Sequence, residues 1–353
     1  MKIAFLNDTH CGVRNSSDIF IDYQNKFYTE VFFPYLIEND VKTIIHLGDY
    51  YDHRKYVNFR ALNENRIHFL EKLREYGITM DIIPGNHDVY YKNTNELCSL
   101  KELLGHYMNE VNIVMEPTVM DYDDCKIALV PWINNENYAE SVKFIENCKA
   151  DFLGAHLELV GFDMMKGVQN THGMNASLFS RFEHVWSGHF HTKSTQGNIT
   201  YLGSQMEFTW ADAHDPKYFH VFDTKTREMT AVYNPLTMFE KVLYDDSKTD
   251  YNTISIDNLK NKFIKLVVVN KSDAFTFDRF IDRVNQIGVH DLKIAETFDE
   301  FVGANVADDG ISIEDTTELL DSYVENVETD LDKDKMKSIM RGLYVEAQNF
   351  EIA

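Results

Sequence analysis

Short hydrophobic stretches alternate along the first 235 residues with longer stretches whose hydrophobic residues recur at three-to-four spacing. The short stretches predict strands at residues 2–7, 43–47, 79–83, 126–130, 152–155 and 184–187. The longer stretches predict helices at 18–38, 58–76, 95–107 and 137–147, and hairpin-like strands follow between 198 and 233. Alternation of this kind is typical of an α/β sandwich or layered sheet.

The pattern restarts after Asn234-Pro235. Residues 263–269 predict a buried strand, 277–287 an amphipathic helix and 291–295 another strand, which together suffice for a small β-α-β cap. After Thr297 the sequence turns acidic until two further helical patterns, at 313–327 and 333–348. We therefore predict three parts: a first domain at 1–235, a capping domain at 236–297, and an acidic linker with a helical tail at 298–353.

Length and composition change this picture little, but charge adds an objection to nucleic-acid binding. With 353 residues, of which 44% are hydrophobic, the chain can bury one large core plus a smaller one. Its net charge of -23 argues against a self-sufficient DNA-binding module, which usually carries a basic surface. About half of the excess, a net -12 from 16 acidic and 4 basic residues, falls between residues 296 and 353.

The sequence shows neither a membrane span nor a signal peptide, because the hydrophobic start of the chain runs directly into Asn7-Asp8. We expect a cytoplasmic protein. The four cysteines form no C-x-x-C pair, and we assign them no disulfide and no metal.

Five short segments share one pattern, in which a hydrophobic strand ends and Asp, His or Asn follows. They are Asp8-Thr9-His10, Gly48-Asp49-Tyr50-Tyr51-Asp52, Gly85-Asn86-His87-Asp88, Gly154-Ala155-His156 and Gly188-His189-Phe190-His191. Any one of them alone is most simply an ordinary polar loop. In open α/β folds, however, the carboxyl ends of the strands converge on one crevice, so five such loops in one chain predict a common site.

The donor types in these segments indicate metal ions. Carboxylate, imidazole and amide oxygen without thiolate suit Mn²⁺, Fe²⁺ or Zn²⁺, and seven such donors exceed what one ion needs. Two ions that share a bridging carboxylate would fit. The glycines before Asp49, Asn86 and His189 allow the sharp backbone turns that bring these side chains inward.

In this order, Asp-x-His, Gly-Asp-x-x-Asp, Gly-Asn-His-Asp, a lone His and Gly-His-x-His resemble the calcineurin-like metallophosphoesterase superfamily. Within it, the chain resembles the SbcD-type nuclease subunits of double-strand-break repair, most closely those of T-even-like phages. Residues 185–192, 130–132 and 343–347 carry that closer likeness. The resemblance implies a two-sheet sandwich flanked by helices, with a small α+β cap and a C-terminal helical tail. It also implies a two-metal DNA phosphodiesterase, acting as a 3′-to-5′ exonuclease on duplex ends and as a single-strand endonuclease.

The same resemblance implies a ligand set. One ion would be held by Asp8, His10, Asp49 and His191, and the other by Asp49, Asn86, His156 and His189. Mn²⁺ is the metal that the family implies, although Mg²⁺, Fe²⁺ or Zn²⁺ would also suit these donors. Such a pair of ions would bind the phosphate and lower the pKa of a shared water.

Further roles are carried over to residues beside the ligands. His87 would donate a proton to the leaving oxygen or steady the transition state, and the alternative is a residue that only fixes its loop. Asp88 would orient a ligand histidine by accepting its second N–H. Asp52 stands where some relatives have a phosphate-handling histidine, so His53 could replace that histidine or be a solvated loop residue.

Two groups of residues are candidates for substrate contact. Tyr201, Gly203 and Ser204 resemble the family segment that follows the histidine pair and are expected to line the substrate cleft. The three tryptophans could stack on bases, but core packing is the more common use of such residues. These are Trp132, Trp186 and Trp210.

The resemblance also implies partners. The helices within residues 313–348 would dock on the coiled-coil base of an SMC-like ATPase, and the alternative is that they pack on the enzyme's own surface. A homodimer would form through the helices at 58–76 and 95–107, and DNA would be the substrate.

Two other functions remain open from the sequence. A phosphoprotein or small-molecule phosphatase of the same superfamily usually shows Gly-Asn-His-Glu, with Arg-Gly after Gly-Asp-x-x-Asp, whereas this chain has Asp88 and His53-Arg54-Lys55. A non-catalytic scaffold usually loses several ligands, whereas all seven are present here.

Overall fold

The structure is a computed structural model that describes residues 1–123, 125–165 and 168–295, with isolated positions at 324, 333, 335–337 and 339–340. By compactness the chain divides into Met1–Phe301 and Val302–Ala353. The predicted linker and tail at 298–353 therefore lie outside the described residues, apart from those isolated positions. Among the residues that are described, no helix has the length and apolar character needed to cross a membrane.

The described residues form two large sheets, a smaller third sheet and one short hairpin. The strands are β1 (Lys2–Leu6), β2 (Thr43–His46), β3 (Thr79–Ile82), β4 (Val111–Ile113), β5 (Thr118–Tyr122), β6 (Cys125–Val130), β7 (Phe152–His156), β8 (Asp163–Met165), β9 (Val168–Gln169), β10 (His184–Gly188), β11 (Ser194–Gln196), β12 (Ile199–Tyr201), β13 (Tyr218–Asp223), β14 (Glu228–Tyr233), β15 (Phe239–Asp245), β16 (Phe263–Asn270) and β17 (Asp291–Ala295).

The two large sheets each contain six strands, in the orders β14-β13-β1-β2-β3-β4 and β11-β12-β10-β7-β6-β5. Strands β1 to β4 run parallel to one another in the first sheet, and β6, β7, β10 and β12 do so in the second. Antiparallel strands occupy the remaining positions. The predicted α/β fold with two sheets is confirmed, and all six predicted strands are present within one residue of their expected ends.

The core between the sheets follows from the two-residue period of the strands. In β1, Ile3 and Phe5 face the second sheet, while Ala4 and Leu6 face the helices on the outer side. Trp186 of β10 lies in the same inter-sheet core, stacked on Phe152 at 5.2 Å, so core packing accounts for this tryptophan. Burial of each such side chain stabilises the fold by about 1.5–3 kcal/mol.

Helices cover the outer faces of both sheets. Asp18–Lys26, a π-helical stretch Phe27–Phe32 and Phe33–Glu38 follow one another without a break. Phe59–Asn65, Arg66–Leu70 and Glu71–Tyr76 do the same, capped by the Asn58 side chain at one end and by Gly77 at the other. The helix at Tyr138–Asn147 covers the second sheet.

The helix predicted at 95–107 is wrong in its first four residues, because it begins only at Ser99 and continues as Ser99–Leu104 and Gly105–Tyr107. Asn95 instead donates a hydrogen bond to the Trp132 carbonyl and accepts one from Asn134, both at 2.8 Å. A bridge between Val89 and Cys98 closes residues 90–97 into a loop. These contacts hold the backbone away from helical geometry.

Residues 239–295 form a parallel three-stranded sheet, β15-β16-β17, with the helix Ala274–Gln286 packed on one face. Asp273 caps that helix, and Phe277, Phe280 and Val284 pack against strand residues such as Tyr244. The predicted strand, helix and strand are present, but the sequence pattern does not predict β15. Strand β15 lies at the edge of this sheet and shows no clear alternation of buried and exposed positions, so its sequence lacks a strand signal.

Candidate metal centre

The carboxyl ends of β1, β2, β3, β7 and β10 meet at one place, and the five predicted loops converge there. His10 and His191 show how close the approach is, since their Nε2 atoms are 3.1 Å apart although 181 positions separate them in the sequence. All seven predicted ligands lie in this region, in two adjoining clusters.

The first cluster contains Asp8, His10 and His191, each offering one ligand atom within 4.8 Å of the others. The Asp8 carboxylate accepts the backbone N–H of His189 at 3.1 Å and the side-chain N–H of Asn7 at 2.6 Å. These bonds fix the orientation of Asp8, which is fully buried. A carboxylate and two imidazole nitrogens thus face one point.

The second cluster contains Asp49, His156 and His189, again within 4.8 Å. The Oδ1 atom of Asn86 lies 3.0 Å from His156 Nε2 and 3.0 Å from His189 Nδ1, so Asn86 belongs to this cluster as well. The other ring nitrogen of His156 donates to the Leu47 carbonyl at 2.7 Å, which directs Nε2 inward as the atom that would bind a metal.

Asp49 lies between the clusters. Its Oδ2 is 3.2 Å from His156 Nε2 and 3.9 Å from His10 Nε2, while Oδ1 accepts the His87 backbone N–H at 2.8 Å. Oxygen and nitrogen lone pairs that converge in a buried place repel one another unless cations or protons lie between them. The donor set therefore fits one divalent ion in each cluster with Asp49 shared.

Charge in this buried site shifts several pKa values. Burial alone would lower the pKa of His10 and of His156, but the hydrogen bond to Asp52 at His10 and the charge of Asp49 at His156 raise both pKa values to about 9. Burial alone would raise the pKa of Asp49, yet His156 and His87 hold it well below its usual range. Burial lowers the pKa of His189 and His191. Without metal, the site therefore holds protons on His10 and His156 near neutral pH.

The backbone around the ligands is unusual. Asp8, His10, Asp49 and His189 have φ values of 48°, 45°, 55° and 91°, in the left-handed region that residues other than glycine rarely adopt. Residues held in this way cost free energy and cluster at functional sites. Gly85 adds a close approach, because a Cβ atom there would lie 2.1 Å from Asp49 Oδ1.

Asp52 and His87 lie beside the first cluster. Each offers one possible ligand atom, and these atoms and one of His10 lie within 4.8 Å of one another. Asp52 Oδ1 lies 3.3 Å from His10 Nδ1, and its backbone carbonyl lies 2.6 Å from His87 Nδ1. His53 Nε2 is 3.5 Å from the other carboxylate oxygen of Asp52. Asp52 thus orients two histidines, one through its side chain and one through its backbone.

The expectation that Asp88 accepts the second N–H of a ligand histidine is wrong. Both of its oxygens accept backbone N–H groups instead, from Tyr50, Tyr51 and Gly85 at 2.9–3.2 Å. Asp88 is fully buried, and burial together with the charge of Asp49 raises its pKa to about 6. Asp88 therefore ties the loop after β2 to the loop after β3, and the orienting carboxylate is Asp52.

The expectation that Tyr201, Gly203 and Ser204 line a cleft is also wrong, because all three are buried. The Tyr201 hydroxyl donates to the Leu157 carbonyl at 3.0 Å and accepts from Leu159 N–H at 3.1 Å. The Gly203 carbonyl accepts the Asn7 side chain at 2.9 Å, and Ser204 N–H donates to the His191 carbonyl at 3.0 Å. Gly203 and Ser204 therefore hold Asn7 and His191 in place through these hydrogen bonds.

A buried ion-pair cluster behind His191 has no counterpart among the sequence predictions. Lys217 Nζ donates to the His191 carbonyl at 3.0 Å, to Asp212 at 2.5 Å and to Asp215 at 3.0 Å. Lys217 and Asp212 are both nearly inaccessible to solvent. Neither residue has a motif in the sequence, and only the structure shows that they act on a ligand. Asn7, whose neighbour Asp8 carries the motif, could have been found from its adjacency alone.

The remaining tryptophans differ in position. Trp132 is half-buried at the wall of the site, with its ring 5.5 Å from that of His189 and 5.9 Å from that of His156. Trp210 is buried against Phe239 at 4.9 Å. Of the three tryptophans, only Trp132 lies beside the metal-binding histidines, where it could contact a bound substrate.

Comparison with known proteins shows which family the chain is similar to. The family described as calcineurin-like phosphoesterase matches residues 1–193. Exonuclease subunit 1 of Enterobacteria phage T4 is 31% identical over 351 residues, covering 98% of this chain and 99% of the relative. The SbcD component of the nuclease SbcCD from Staphylococcus saprophyticus is 22% identical over 264 residues, covering 67% of this chain and 69% of the relative. A solved archaeal phosphodiesterase aligns with a TM-score of 0.35 and 16% identity, covering 66% of this chain and all of that one.

The chain belongs to the calcineurin-like phosphoesterase family. It is a phosphodiester hydrolase that depends on divalent metal ions. The resemblance stated from the five motifs is confirmed by these matches.

Proposed function

We propose that the chain is the nuclease subunit of a DNA-processing complex and cleaves phosphodiester bonds in DNA with two metal ions. The observation that carries this proposal is the convergence of seven donors from five loops around Asp49, whose Oδ2 faces His156 on one side and His10 on the other. The names of the two curated relatives, an exonuclease subunit and a nuclease subunit, support a nucleic-acid substrate.

The ligand assignment follows the two clusters. Asp8, His10, Asp49 and His191 hold one ion and Asp49, Asn86, His156 and His189 the other, and we propose Mn²⁺ for both. When bound, such ions supply a nucleophile from water near neutral pH and offset the charge of the phosphate. The protein's part is to fix the ligands: Asn7 and His189 N–H hold Asp8, Leu47 O holds His156, and Asp52 holds His10.

His87 is placed to move a proton. Because the Asp52 carbonyl can only accept, His87 Nδ1 carries the proton of that hydrogen bond, and Nε2 is left to serve the substrate. The rings of His87 and His10 are 4.9 Å apart, so His87 lies beside a metal ligand and is half-buried. We propose that His87, in its imidazolium form, donates the Nε2 proton to the leaving oxygen of the cleaved bond and is left as the neutral ring with its proton on Nδ1.

The finer activity is also part of the proposal. We propose 3′-to-5′ exonuclease action on duplex ends and endonuclease action on single strands, in recombination and double-strand-break repair. The division into a nuclease domain at 1–235, a cap at 236–297 and a docking tail at 298–353 stays a proposal, as does control by an SMC-like ATPase through residues 313–348. A partner that supplies DNA affinity would offset the net charge of -23.

A homodimer through the helices at 58–76 and 95–107 is proposed as well, with the second helix beginning at Ser99. Phe59 is 88% exposed and Met108, just after that second helix, is 79% exposed. A second copy that pairs through these helices would cover both of these apolar side chains.

The test is hydrolysis with Mn²⁺ of three substrates: duplex DNA with blunt or protruding ends, single-stranded circles and a phosphoserine peptide. We expect cleavage of both DNAs. His87→Gln should reduce the rate by about 10²- to 10⁴-fold without loss of bound metal, because it removes proton transfer and leaves the ligands intact. His172→Gln, an exposed histidine away from the clusters, is the matched control.

Three results would contradict the proposal. Phosphate release from the peptide alone would make the chain a phosphoprotein phosphatase. No turnover of any substrate with both ions bound would make it a scaffold. An unchanged rate in His87→Gln would remove that residue from the reaction.

The partner is tested by purification from the native host. We expect an SMC-like ATPase to remain bound to the full chain and to be lost when residues after Thr297 are deleted. Retention of the ATPase by the shortened chain would place the docking surface elsewhere.

A further inference from the structure

Two exposed loops beside the metal centre, residues 53–57 and 90–97, form a surface that we call the aromatic-basic strip. It is defined by Tyr56, Tyr90, Tyr91, Lys55 and Lys92. Tyr56 is 59% exposed and Tyr91 is 51% exposed, and neither the ligand set nor the core uses them. Exposed aromatic rings at a cleft edge are surfaces on which a planar group can stack.

Contacts within the strip hold its rings in place. The Tyr56 ring stacks on that of His53, with centroids 4.5 Å apart and planes inclined by 26°. Tyr90 and Tyr91 meet edge to face at 4.7 Å, and Lys55 Nζ lies 5.8 Å from the centre of the Tyr90 ring. The two loops therefore adjoin, and their tyrosines lose little conformational freedom when a ligand binds.

The strip is continuous with the reaction centre. His53 lies 3.5 Å from the Asp52 carboxylate, which in turn lies 3.3 Å from the metal ligand His10. A strand whose phosphate sits at the metal centre would therefore pass directly onto Tyr56. The bridge between Val89 and Cys98, and the bond from the Tyr90 N–H to the Leu97 carbonyl at 2.9 Å, close the second loop directly beside Tyr91.

Charge sets the strip apart from the rest of the chain. The two loops carry three basic residues, Arg54, Lys55 and Lys92, against one acidic residue, Glu96. The whole chain has a net charge of -23. A local excess of positive charge next to a phosphodiester site suits a polyanion, and interleaved aromatic and basic residues are typical of surfaces that bind single-stranded nucleic acid.

We propose that the aromatic-basic strip binds unpaired nucleotides next to the cleaved bond, with bases stacked on Tyr56 and Tyr91 and phosphates near Lys55 and Lys92. Base faces are accessible only where a strand is unpaired, so the strip selects single strands and opened duplex ends. The inference rests on the proposed function, since it names the part of a DNA substrate that the same site receives.

The test measures binding of the full chain to a single-stranded oligonucleotide with phosphorothioate linkages, which resist cleavage. Tyr56→Leu and Tyr91→Leu should each weaken binding by about tenfold, whereas Tyr56→Phe and Tyr91→Phe should retain it because the ring remains. Tyr138→Leu, equal to Tyr91 in exposure at 51% and located in the helix Tyr138–Asn147, is the matched control. An abasic oligonucleotide of the same length should bind weakly, and equally to all variants.

A fluorescent base gives a second readout. An oligonucleotide containing 2-aminopurine should be quenched on binding to the unsubstituted chain, and the Leu variants should lose that quenching. Equal affinity of Leu and Phe variants, or equal binding of abasic and normal oligonucleotides, would overturn the strip. So would a change of oligomeric mass in Tyr56→Leu without a change in DNA affinity, which would make the surface a subunit contact.

The two proposals fail separately. If the unsubstituted chain cleaves DNA and the Leu variants bind single strands normally, the strip is wrong and the proposed function stands. If the chain binds single strands through the tyrosines but cleaves no phosphodiester, the proposed function is wrong and the strip stands.

Discussion

Asp52 orients the ligand histidine His10, a role that the sequence leads us to expect of Asp88. In the sequence both are acidic residues beside a ligand, and only the direction of each side chain separates their roles. Asp88 turns toward backbone N–H groups in a buried place, which are those of Tyr50 and Tyr51 after β2 and of Gly85 after β3. Asp52 turns toward His10. Spacing in a sequence does not encode that choice.

Removal of the Asp52 carboxylate should weaken metal binding. Asp52→Ala frees His10 Nδ1 from the group that orients the ring, and we expect about 10- to 100-fold lower affinity for Mn²⁺ at the first cluster. Calorimetric titration of metal into the metal-free protein measures it. Asp18→Asn, which changes an exposed carboxylate paired with Arg60, is the control. Equal affinity in both variants would show that Asp52 does not orient His10.

Tyr201 is a second residue whose side-chain direction the sequence does not predict. Its position two residues before Gly203, in a segment that follows the histidine pair, predicts that it lines the cleft. The structure places the ring in the core against Phe190 at 4.5 Å, where the hydroxyl bridges the backbone after β7. A tyrosine with one polar atom satisfied inside a core is indistinguishable in sequence from one that faces a substrate.

At the scale of elements, the loops after parallel strands carry the site, and the glycines there set how closely the loops approach. Gly85→Ala would place a methyl group 2.1 Å from Asp49 Oδ1, and the carboxylate shared by the clusters would have to move. We expect loss of metal from the protein and of phosphodiester cleavage, measured by metal analysis and rate.

Gly105→Ala is the matched control, because its added methyl group meets nothing within 4 Å and its backbone is helical. That variant should bind metal normally. If Gly85→Ala also binds both ions normally, the approach of the two loops is not what positions Asp49.

The segment before β13 holds His191 through Lys217. Lys217→Met leaves Asp212 as a buried charge without its partner, which should lower the free energy of unfolding by about 3–5 kcal/mol. Denaturant titration of the metal-free protein measures this. Lys248→Met, at an exposed pair with Asp245, should leave the unfolding midpoint in place. A small effect of Lys217→Met would mean that water enters and solvates Asp212.

Strands are easier to predict here than the ends of helices. Buried strands such as β1, in which Ile3, Ala4, Phe5 and Leu6 follow one another, read as continuous apolar runs, because both faces are covered. The predicted helix that ends at Tyr107 is four residues too long at its start, because side-chain bonds from Asn95 to another loop override local helical preference. Strand β15, half-exposed at a sheet edge, offers no pattern to find. The local sequence pattern therefore predicts an element whose position is set by burial. It fails where a contact with a distant residue sets the position.

For the molecule as a whole, metal binding should be linked to protons. His10 and His156 have pKa values of about 9 in the metal-free fold, above the ordinary value of 6.5. Each therefore carries a second ring proton, and with it a positive charge, at pH 7. Each ion must displace such a proton. We therefore expect affinity for Mn²⁺ to rise with pH up to about 9, by about tenfold per pH unit for each proton released.

Titration in buffers of different ionisation enthalpy counts the protons released. The same pKa values also make the free energy of unfolding of the metal-free protein depend on pH. Protonated His10 and His156 stabilise the metal-free fold fully below pH 6.5, and this contribution is lost as the pH rises through about 9. Affinity independent of pH between 6 and 9 would show that these histidines are neutral before metal binds.

Much of the site could be predicted from the sequence because each ligand directly follows a strand, and parallel strands bring their ends together without further information. The supporting residues Lys217 and Asp212 could not, since Lys217 reaches the backbone carbonyl of His191 and the carboxylate of Asp212 only in the folded chain.

The meeting of His10 with His191 has a consequence for the chain during its synthesis. A ribosome releases the loop with Asp8 and His10 first, and His191, which completes the same cluster, is added 181 positions after His10. Strand β13, which borders β1 in the finished sheet, arrives later still, at Tyr218–Asp223. A nascent polypeptide that has not yet reached His191 therefore cannot assemble the first cluster, and termination products that end before this residue lack a complete metal centre.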